Sequence, residues 1–254
     1  MKIIISPAKK INNTQNKENM RFSHCSFLNE ATELIEILKE FTPDKLSKLM
    51  NISHNLSLLN TERYVNWSLP FNTKNSKQAI ISFAGGLYQG MNITDFDNDD
   101  LDFSQKHLRI LSGLYGILKP LDLIQPYRLE MGTKLKTQKG NNLYHFWRNL
   151  LTTYMKKEIE EHKDNYVVNL ASHEYSKAID INELTVPCIT PVFKDFKNGN
   201  FKIISLFAKK ARGKMCRFII KNRLTTINEL QDFSYDGYLF DKDLSTDKEF
   251  IYTR

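Results

Sequence analysis

The sequence predicts an α/β fold: a single domain in which a mixed sheet is surrounded by helices. Segments with strand and helix patterns are interspersed along the chain, without the strict strand–helix–strand repeat of a doubly wound fold. Hydrophobic residues form 41% of the 254 residues, which is enough for one extensive core. No repeat, low-complexity tract or Gly/Ser-rich linker interrupts the sequence. We therefore expect residues 1–254 to form one domain.

The first third of the chain carries one short apolar run followed by three helical patterns. Ser6-Pro7 ends the run KIII, and Pro43 is of the type favoured at the first position of a helix. The later run QAIISF has the length and the apolar character of a buried strand. The elements expected here are strands at 2–5 and 78–83, helices at 29–40, from Thr42 and at 54–66, and a loop over 10–26.

The rest of the chain is predicted to contain further helices and strands of the same sheet. Asn198-Gly199 favours a hairpin turn, because both residues accept positive φ angles. The elements expected here are helices at 100–112, 143–161 and 208–223, a strand at 166–171, a hairpin around 197–200, and a strand pair near 237–241 and 249–253.

One segment is strongly basic: AKKARGKMCRFIIKNR, residues 208–223, contains seven Lys or Arg and no acid. Like charges four residues apart on a helix repel each other, so a helix built only for stability would carry Glu among them. The pattern therefore favours anion binding, and the alternative is a solvated face whose acids lie elsewhere in the fold. On a helix, Lys210, Lys214, Arg217 and Lys221 form one stripe, and Lys209, Arg212 and Arg223 lie on the other flank.

Glycines predict a close contact at one position and a turn at another. Gly213 lies inside the predicted basic helix, where it would permit close approach of another backbone or of a phosphate. Gly113 and Gly116 flank a turn after the helix predicted at 100–112, as in a helix-hairpin-helix element, whose backbone N–H groups contact a DNA phosphate without reading sequence. An ordinary glycine C-cap and turn explains the same residues equally well.

Several kinds of site have no motif in this sequence. There is no Walker P-loop, GxGxxG or GxSxG, so no cofactor is expected. The six His lack ligand spacing, and the five Asp at 95–102 fit a helix start better than a Mg²⁺ site, so no metal is expected. Cys25, Cys188 and Cys216 lie far apart, which predicts reduced thiols and a cytoplasmic protein. No apolar run has the length of a signal-peptide core or a membrane span.

Four stretches together resemble the bacterial YaaA family of peroxide-stress proteins: IISPAK (4–9), LSGLYGILKPLDLIQPYRLEMG (111–132), NLASHEY (169–175) and FKNGNFKIISLFAKKARGKMCRFIIKNRL (196–224). The resemblance implies a cytoplasmic protein that helps the cell survive hydrogen peroxide and affects intracellular free iron. It also implies DNA binding and an α/β fold of its own type, with a positively charged cleft and a helix-hairpin-helix-like element. Cys216 and Leu206-Phe207 depart from the family pattern without touching the basic positions.

The leading hypothesis is a DNA-binding protein of the hydrogen-peroxide stress response that helps limit iron-mediated damage. Lys and Arg would neutralise phosphates of duplex or distorted DNA with little sequence specificity. We expect a monomer. The DNA-binding candidates are Lys9, Gly113, Gly116, Lys209, Lys210, Arg212, Lys214, Arg217 and Lys221.

The alternative is an enzyme that acts on a phosphorylated or nucleotide-like substrate in the same cleft. Its catalytic candidates are Tyr115, Arg128 and Glu130, although Arg128 and Glu130 could also pair for structural reasons. A narrow pocket would favour this alternative, whereas a groove as wide as a duplex would favour DNA. Direct iron sequestration has no ligand-spaced residues to support it. The residues expected to converge are Ser6, Lys9, Tyr115, Arg128, Glu130, Lys209 and Arg212.

Overall fold

The computed structural model describes residues 1–12 and 20–254, so the loop predicted over 10–26 lies partly outside the described residues. The strands are β1 (Lys2–Ile5), β2 (Lys10–Ile11), β3 (Lys77–Gln78), β4 (Phe83–Ala84), β5 (Leu108–Ser112), β6 (Gly116–Leu118), β7 (Leu123–Ile124), β8 (Val167–Leu170), β9 (Cys188–Lys197), β10 (Asn200–Lys202), β11 (Leu239–Asp241) and β12 (Glu249–Thr253). The helices are α1 (Leu28–Lys39), α2 (Pro43–Met50), α3 (His54–Asn66), α4 (Ala79–Ser82), α5 (Gly86–Met91), α6 (Asn98–His107), α7 (Leu143–His162), α8 (His173–Ser176) and α9 (Ser205–Lys221).

The main sheet is mixed, which confirms the predicted fold class. Its order is β11-β12-β9-β8-β1-β5-β6, and β10 pairs with β9 at one side. Strand β1 lies near the centre and pairs in parallel with both β5 and β8, while the outer pairs β5–β6 and β11–β12 are antiparallel. All four residues of β1 are buried, as expected for a strand covered on both faces. Because β1 and its two neighbours are parallel, their carboxyl ends meet at one edge of the sheet.

Most of the predicted helices and strands are present. Helices α1, α2, α3 and α7 and strands β1, β8, β11 and β12 lie where the sequence pattern placed them, within a few residues. The β9–β10 hairpin turns at Asn198 and Gly199, whose φ angles are 54° and 77°. These elements carry strong local signals, which explains why the sequence predicts them well.

The strand predicted at 78–83 is wrong. Residues Ala79–Ser82 form the short helix α4, which separates the two-residue strands β3 and β4. All four α4 residues are buried, and the N–H groups of Ala79 and Ile80 donate to the carbonyls of Asp122 and Pro120. A short run that is apolar on every side has no periodicity, so its neighbours in the fold decide whether it is helix or strand.

The predicted helix at 100–112 ends early, and the helix-hairpin-helix prediction is wrong. Helix α6 stops at His107, and residues Leu108–Ser112 form β5, which pairs with the central strand. The turn from Gly113 to Tyr115 joins β5 to β6 as a β-hairpin, in which Ser112 pairs with Gly116. Gly113 and Gly116 are buried, and the Trp147 indole N–H donates to the Gly113 carbonyl at 2.9 Å. This turn lies in the core, where a DNA phosphate could not reach its amides.

The predicted basic helix is confirmed as α9, and Gly213 explains its position. A Cβ atom at Gly213 would lie 1.9 Å from the Leu87 carbonyl oxygen, and one at Gly90 would lie 2.1 Å from the Lys210 carbonyl oxygen. The two glycines therefore allow α5 and α9 to touch backbone to backbone. Of the two possibilities for Gly213, the structure shows the approach of another backbone. This contact places the first turns of α9 beside the loop that follows β1.

Candidate functional site: a pocket at the carboxyl ends of the central strands

A cavity of about 340 Å³ opens where β1 and β8 end. The loop after β1, the start of α5, helix α8 and the first turns of α9 surround it. Its apolar wall includes Pro7, Ala84, Leu87 and Leu170. We call this cavity the strand-end pocket, and its polar lining residues are Ser6, Lys9, Lys10, Tyr88, Ser172, Glu174, Tyr175, Lys209 and Arg212.

Two serines join the strand ends at the base of the pocket. The Ser172 N–H donates to the Ser6 hydroxyl at 2.8 Å, and that hydroxyl donates to the Ser172 hydroxyl at 3.2 Å. The Tyr88 hydroxyl donates to the Ser6 carbonyl at 3.1 Å, and burial raises the pKa of Tyr88 well above its ordinary value. Tyr88 is therefore neutral at physiological pH and serves as a hydrogen-bond donor that fixes the loop.

Arg212 is the most unusual group in the pocket. Its side chain is half-buried, and none of the described residues forms an ion pair or a hydrogen bond with the guanidinium; the buried Nε–H is without a partner. Burial lowers the pKa of Arg212, and no acid among the described residues offsets this effect. Because arginine stays charged under any physiological condition, Arg212 is a partly buried cation that no described acid neutralises.

Further cations lie around Arg212. Lys10 and Lys209 are exposed at the pocket, and neither forms an ion pair with an acid in residues 1–12 or 20–254. Lys9 differs, because its ammonium lies 2.7 Å from the Glu130 carboxylate. Glu130 also pairs with Arg128 at 2.9 Å. Among the described residues, the pocket cations without an acidic partner are thus Lys10, Lys209 and Arg212.

Glu174 is the acid that lines the pocket, and sequence reasoning missed it. One carboxylate oxygen accepts a hydrogen bond from the Gly132 N–H at 3.0 Å. The residue lies in α8, which begins directly after Ser172 at the end of β8. A signal was available in the sequence, because NLASHEY places an acid just beyond a buried strand, where ligand sites of α/β sheets form.

The predicted catalytic residues do not converge in this pocket. Tyr115 is completely buried; its hydroxyl donates to the Gln125 carbonyl at 3.2 Å and accepts from the Trp67 indole N–H at 3.1 Å. Both hydrogen bonds lie inside the core, which indicates a structural role for Tyr115. The sequence shows a polar hydroxyl group, but it does not show the apolar residues that bury it. Arg128 and Glu130 pair beside the pocket, at its Lys9 side, and neither lines it. Four predicted residues do come together there: Ser6, Lys9, Lys209 and Arg212.

Most of the stripe predicted on α9 is neutralised by acids from distant segments. The Arg217 guanidinium binds both oxygens of Asp95, at 2.7 and 2.6 Å, and lowers the pKa of that carboxyl to about 2. Lys221 lies 2.5 Å from Asp100, and Lys214 pairs with Asp236. The prediction of a free cationic stripe is therefore wrong for Lys214, Arg217 and Lys221, because their acids are invisible in the local sequence window.

A second exposed surface combines lysines with aromatic side chains. It lies at the tip of the β9–β10 hairpin and the first turns of α9, and we call it the hairpin surface. Phe196 is 61% exposed. None of the lysines of the hairpin surface pairs with an acid in the part of the chain that the structure describes. Its residues are Phe196, Lys197, Phe201, Lys202, Phe207, Lys209 and Lys210, of which Lys209 also borders the strand-end pocket.

Within the described ranges, no group of three or more His, Cys, Asp or Glu could hold a metal ion. None of the helices in those ranges has the length and apolar character needed to cross a membrane. Cys25, Cys188 and Cys216 are all unpaired.

Fold and site together define an α/β protein with a cationic pocket at the carboxyl edge of a mixed sheet. Comparison with known proteins gives its family. A family model described as "Peroxide stress protein YaaA" matches residues 1–244, and the chain belongs to that family. Two similar proteins, each described as "UPF0246 protein", come from Saccharophagus degradans and Teredinibacter turnerae, at 46% and 45% identity over 254 residues. Each match covers this whole chain and 99% of the relative.

Proposed function

We propose that this peroxide stress protein binds a small phosphorylated or nucleotide-like molecule, as ligand or substrate, in the strand-end pocket. The observation that carries the proposal is the Arg212 guanidinium, which is half-buried at the pocket without any anionic partner among the described residues. Guanidinium groups bind phosphate through charge-assisted, often paired hydrogen bonds. A bound phosphate would satisfy the Arg212 donors that have no partner among the described residues.

The charge balance of the pocket favours phosphate over a single carboxylate. Among the described lining residues, Lys10, Lys209 and Arg212 bring three positive charges and Glu174 brings one negative charge, which leaves a balance of two. Lys9 does not count, because Glu130 neutralises it. A phosphate monoester carries a charge of about −1.5 to −2 at neutral pH and so matches this balance.

The location of the pocket gives independent support. Open α/β sheets bind ligands in crevices at the carboxyl ends of parallel strands, and the pocket lies where β1 and β8 end. A volume of about 340 Å³ lies in the range of small-molecule sites. A pocket of this volume would accept one phosphate group and the body of a small ligand, but not a duplex.

Calorimetric titration with ribose 5-phosphate tests the proposal. We expect binding to the wild-type protein and at least a ten-fold loss in Arg212→Met, because hydrogen bonds to charged groups contribute about 1.5–3 kcal/mol. The matched control is Arg217→Met on the same helix, whose guanidinium is occupied by Asp95 and which should bind like wild type. Absence of binding, or equal binding by Arg212→Met, would refute the proposal.

The second candidate function is DNA binding with little sequence specificity, and the hairpin surface favours it. Unpaired lysines there could neutralise phosphates, and exposed aromatic rings could stack on unpaired bases. The three unpaired cysteines fit the reducing cytoplasm, in which such a protein would protect DNA during peroxide stress. Of the predicted DNA-binding residues, Lys209 and Lys210 belong to this surface.

Binding of duplex and single-stranded oligonucleotides at two salt concentrations tests the second candidate. We expect affinity to fall steeply with salt and to fall further in Lys197→Glu combined with Lys202→Glu. The control is Lys242→Glu combined with Lys248→Glu, which makes the same charge change at exposed lysines near the opposite end of β9. A flat salt response, or equal effects of both double variants, would eliminate the hairpin surface as a DNA site.

A further inference from the structure

We propose that Glu174 selects a phosphate ester with a vicinal diol, so that the strand-end pocket takes a ribose phosphate or a ribonucleotide. This inference rests on the proposed function and adds the second recognition element of the same site. Arg212 and Lys209 would hold the phosphate, and the Glu174 carboxylate would accept hydrogen bonds from the two hydroxyl groups.

Glu174 stands apart from the other acid near the pocket. Glu130 pairs with both Lys9 and Arg128, so its carboxylate is occupied. Glu174 forms no ion pair with any described residue, although it shares the pocket with three uncompensated cations. Its Oε1 atom accepts the Gly132 N–H, and its Oε2 atom accepts no hydrogen bond from residues 1–12 and 20–254. One carboxylate oxygen thus remains available to a ligand.

The position of Glu174 is fixed at several points. The Tyr144 hydroxyl donates to the Glu174 carbonyl at 2.9 Å, which holds the backbone of α8. A Cβ atom at residue 132 would lie 3.2 Å from Oε1, so glycine there gives the carboxylate its close hydrogen bond to the main chain. A carboxylate oriented in this way is preorganised to accept hydrogen bonds, as recognition of a hydroxyl pair requires.

The chemistry of the site favours a diol at Glu174. A second anionic group would be repelled by the carboxylate, and a cationic group would be repelled by the positive charge of the pocket. The group that binds Glu174 should therefore be a neutral hydrogen-bond donor. In dinucleotide-binding α/β proteins, a carboxylate accepts such hydrogen bonds from ribose hydroxyls. The apolar wall, which includes Leu87 and Leu170, could pack against the sugar ring or a base.

Calorimetric titration with AMP and 2′,3′-dideoxy-AMP tests this inference on the full-length protein. We expect wild type to bind AMP at least ten-fold more tightly, and Glu174→Gln to discriminate less than three-fold. Gln keeps an oxygen for the Gly132 N–H, so the fold should be preserved. Glu160→Gln, at an exposed position on α7, is the control and should discriminate like wild type. Ribose 5-phosphate and 2-deoxyribose 5-phosphate extend the test to ligands without a base.

The outcomes separate this inference from the proposed function. If AMP and dideoxy-AMP bind equally well and both depend on Arg212, the phosphate site stands and the diol inference is overturned. Unchanged discrimination in Glu174→Gln also overturns it. If no phosphate ester binds, or if binding survives Arg212→Met, the proposed function fails and the inference fails with it.

Discussion

The two halves of helix α9 carry similar charge in sequence but differ in the fold. In the first half, Lys209 and Arg212 border the strand-end pocket without an acidic partner among the described residues. In the second half, Lys214, Arg217 and Lys221 each pair with an aspartate from a distant segment. The second half is a structural ion-pair face, and the first half holds the cations to which the proposed ligand would bind. A count of charges along a helix therefore does not locate a binding site.

The difference arises from what packs beside each half. The segment around α6 supplies Asp95 and Asp100 to the second half, and Asp236 comes from the loop before β11. Beside the first half lie α5 and the loop after β1, whose described pocket-lining residues include no acid. Gly213 lies between the two halves and fixes this arrangement through its contact with Leu87.

The largest effect should follow from Gly213→Val. A Cβ atom here would lie 1.9 Å from the Leu87 carbonyl oxygen, so α5 and α9 would have to separate. We expect a loss of about 3 kcal/mol in the free energy of unfolding, at the upper end of overpacking effects. Urea denaturation measures it, with Ser205→Ala at the exposed start of α9 as the control. A loss below about 1 kcal/mol would contradict the backbone contact.

Asp100→Asn should have the next largest effect, because it removes the acid that holds the end of α9. The Asp100 side chain is 2% exposed and binds both Lys221 and Arg223. Burial alone would raise the pKa of Asp100, but the two cations outweigh it and the pKa is lowered. We expect a loss of about 2 kcal/mol, since both cations lose their nearest carboxylate while staying partly solvated. Asp99→Asn at the exposed neighbour should change stability little, and an equal loss there would contradict the assignment.

Two arginine variants test the difference between the halves of α9 through their free energy of unfolding, measured without ligand. Arg212→Met removes a half-buried charge that lacks a partner, so we expect a gain of about 1 kcal/mol in the free energy of unfolding. Arg217→Met removes a partly exposed ion pair, so we expect a loss of at most about 1 kcal/mol. Opposite signs in urea denaturation support the distinction between the halves. A clear loss in Arg212→Met would show that its guanidinium already has a partner.

The smallest expected effect is the pH dependence that the Asp95–Arg217 pair gives to the free energy of unfolding. Arg217 lowers the pKa of Asp95 from 3.8 to about 2, so the pair stabilises the fold fully above about pH 4. This contribution is lost as the pH falls from about 4 to 2, because Asp95 takes up a proton more readily in the unfolded state than in the folded state over this range. Asp95 is exposed, so solvent screening keeps the effect below about 1 kcal/mol. Stability measured across this range should fall less in Arg217→Met than in wild type; equal slopes would show that the pair contributes nothing.

The sequence predicted features with strong local signals and failed where distant contacts decide. The hairpin at Asn198-Gly199, the basic helix and the close approach at Gly213 follow from local chemistry, and the structure confirms them. Tyr115 could not be assigned, because the partners that bury its hydroxyl come from other segments. For the same reason the sequence overestimated the free charge of α9. Four pocket residues were correctly grouped, whereas Glu174 was missed.

The most direct test of the account is the rate at which individual lysines of α9 are acetylated, measured by mass spectrometry. Lys209 and Lys210 are exposed without an ion-pair partner in the described chain, while the side chains of Lys214 and Lys221 are paired and only 21% and 30% exposed. We predict that the first two react several times faster, and that ribose 5-phosphate protects Lys209 without changing Lys221. Equal rates at all four lysines, or faster reaction at Lys214 and Lys221, would contradict the division of α9 into a free half and a paired half.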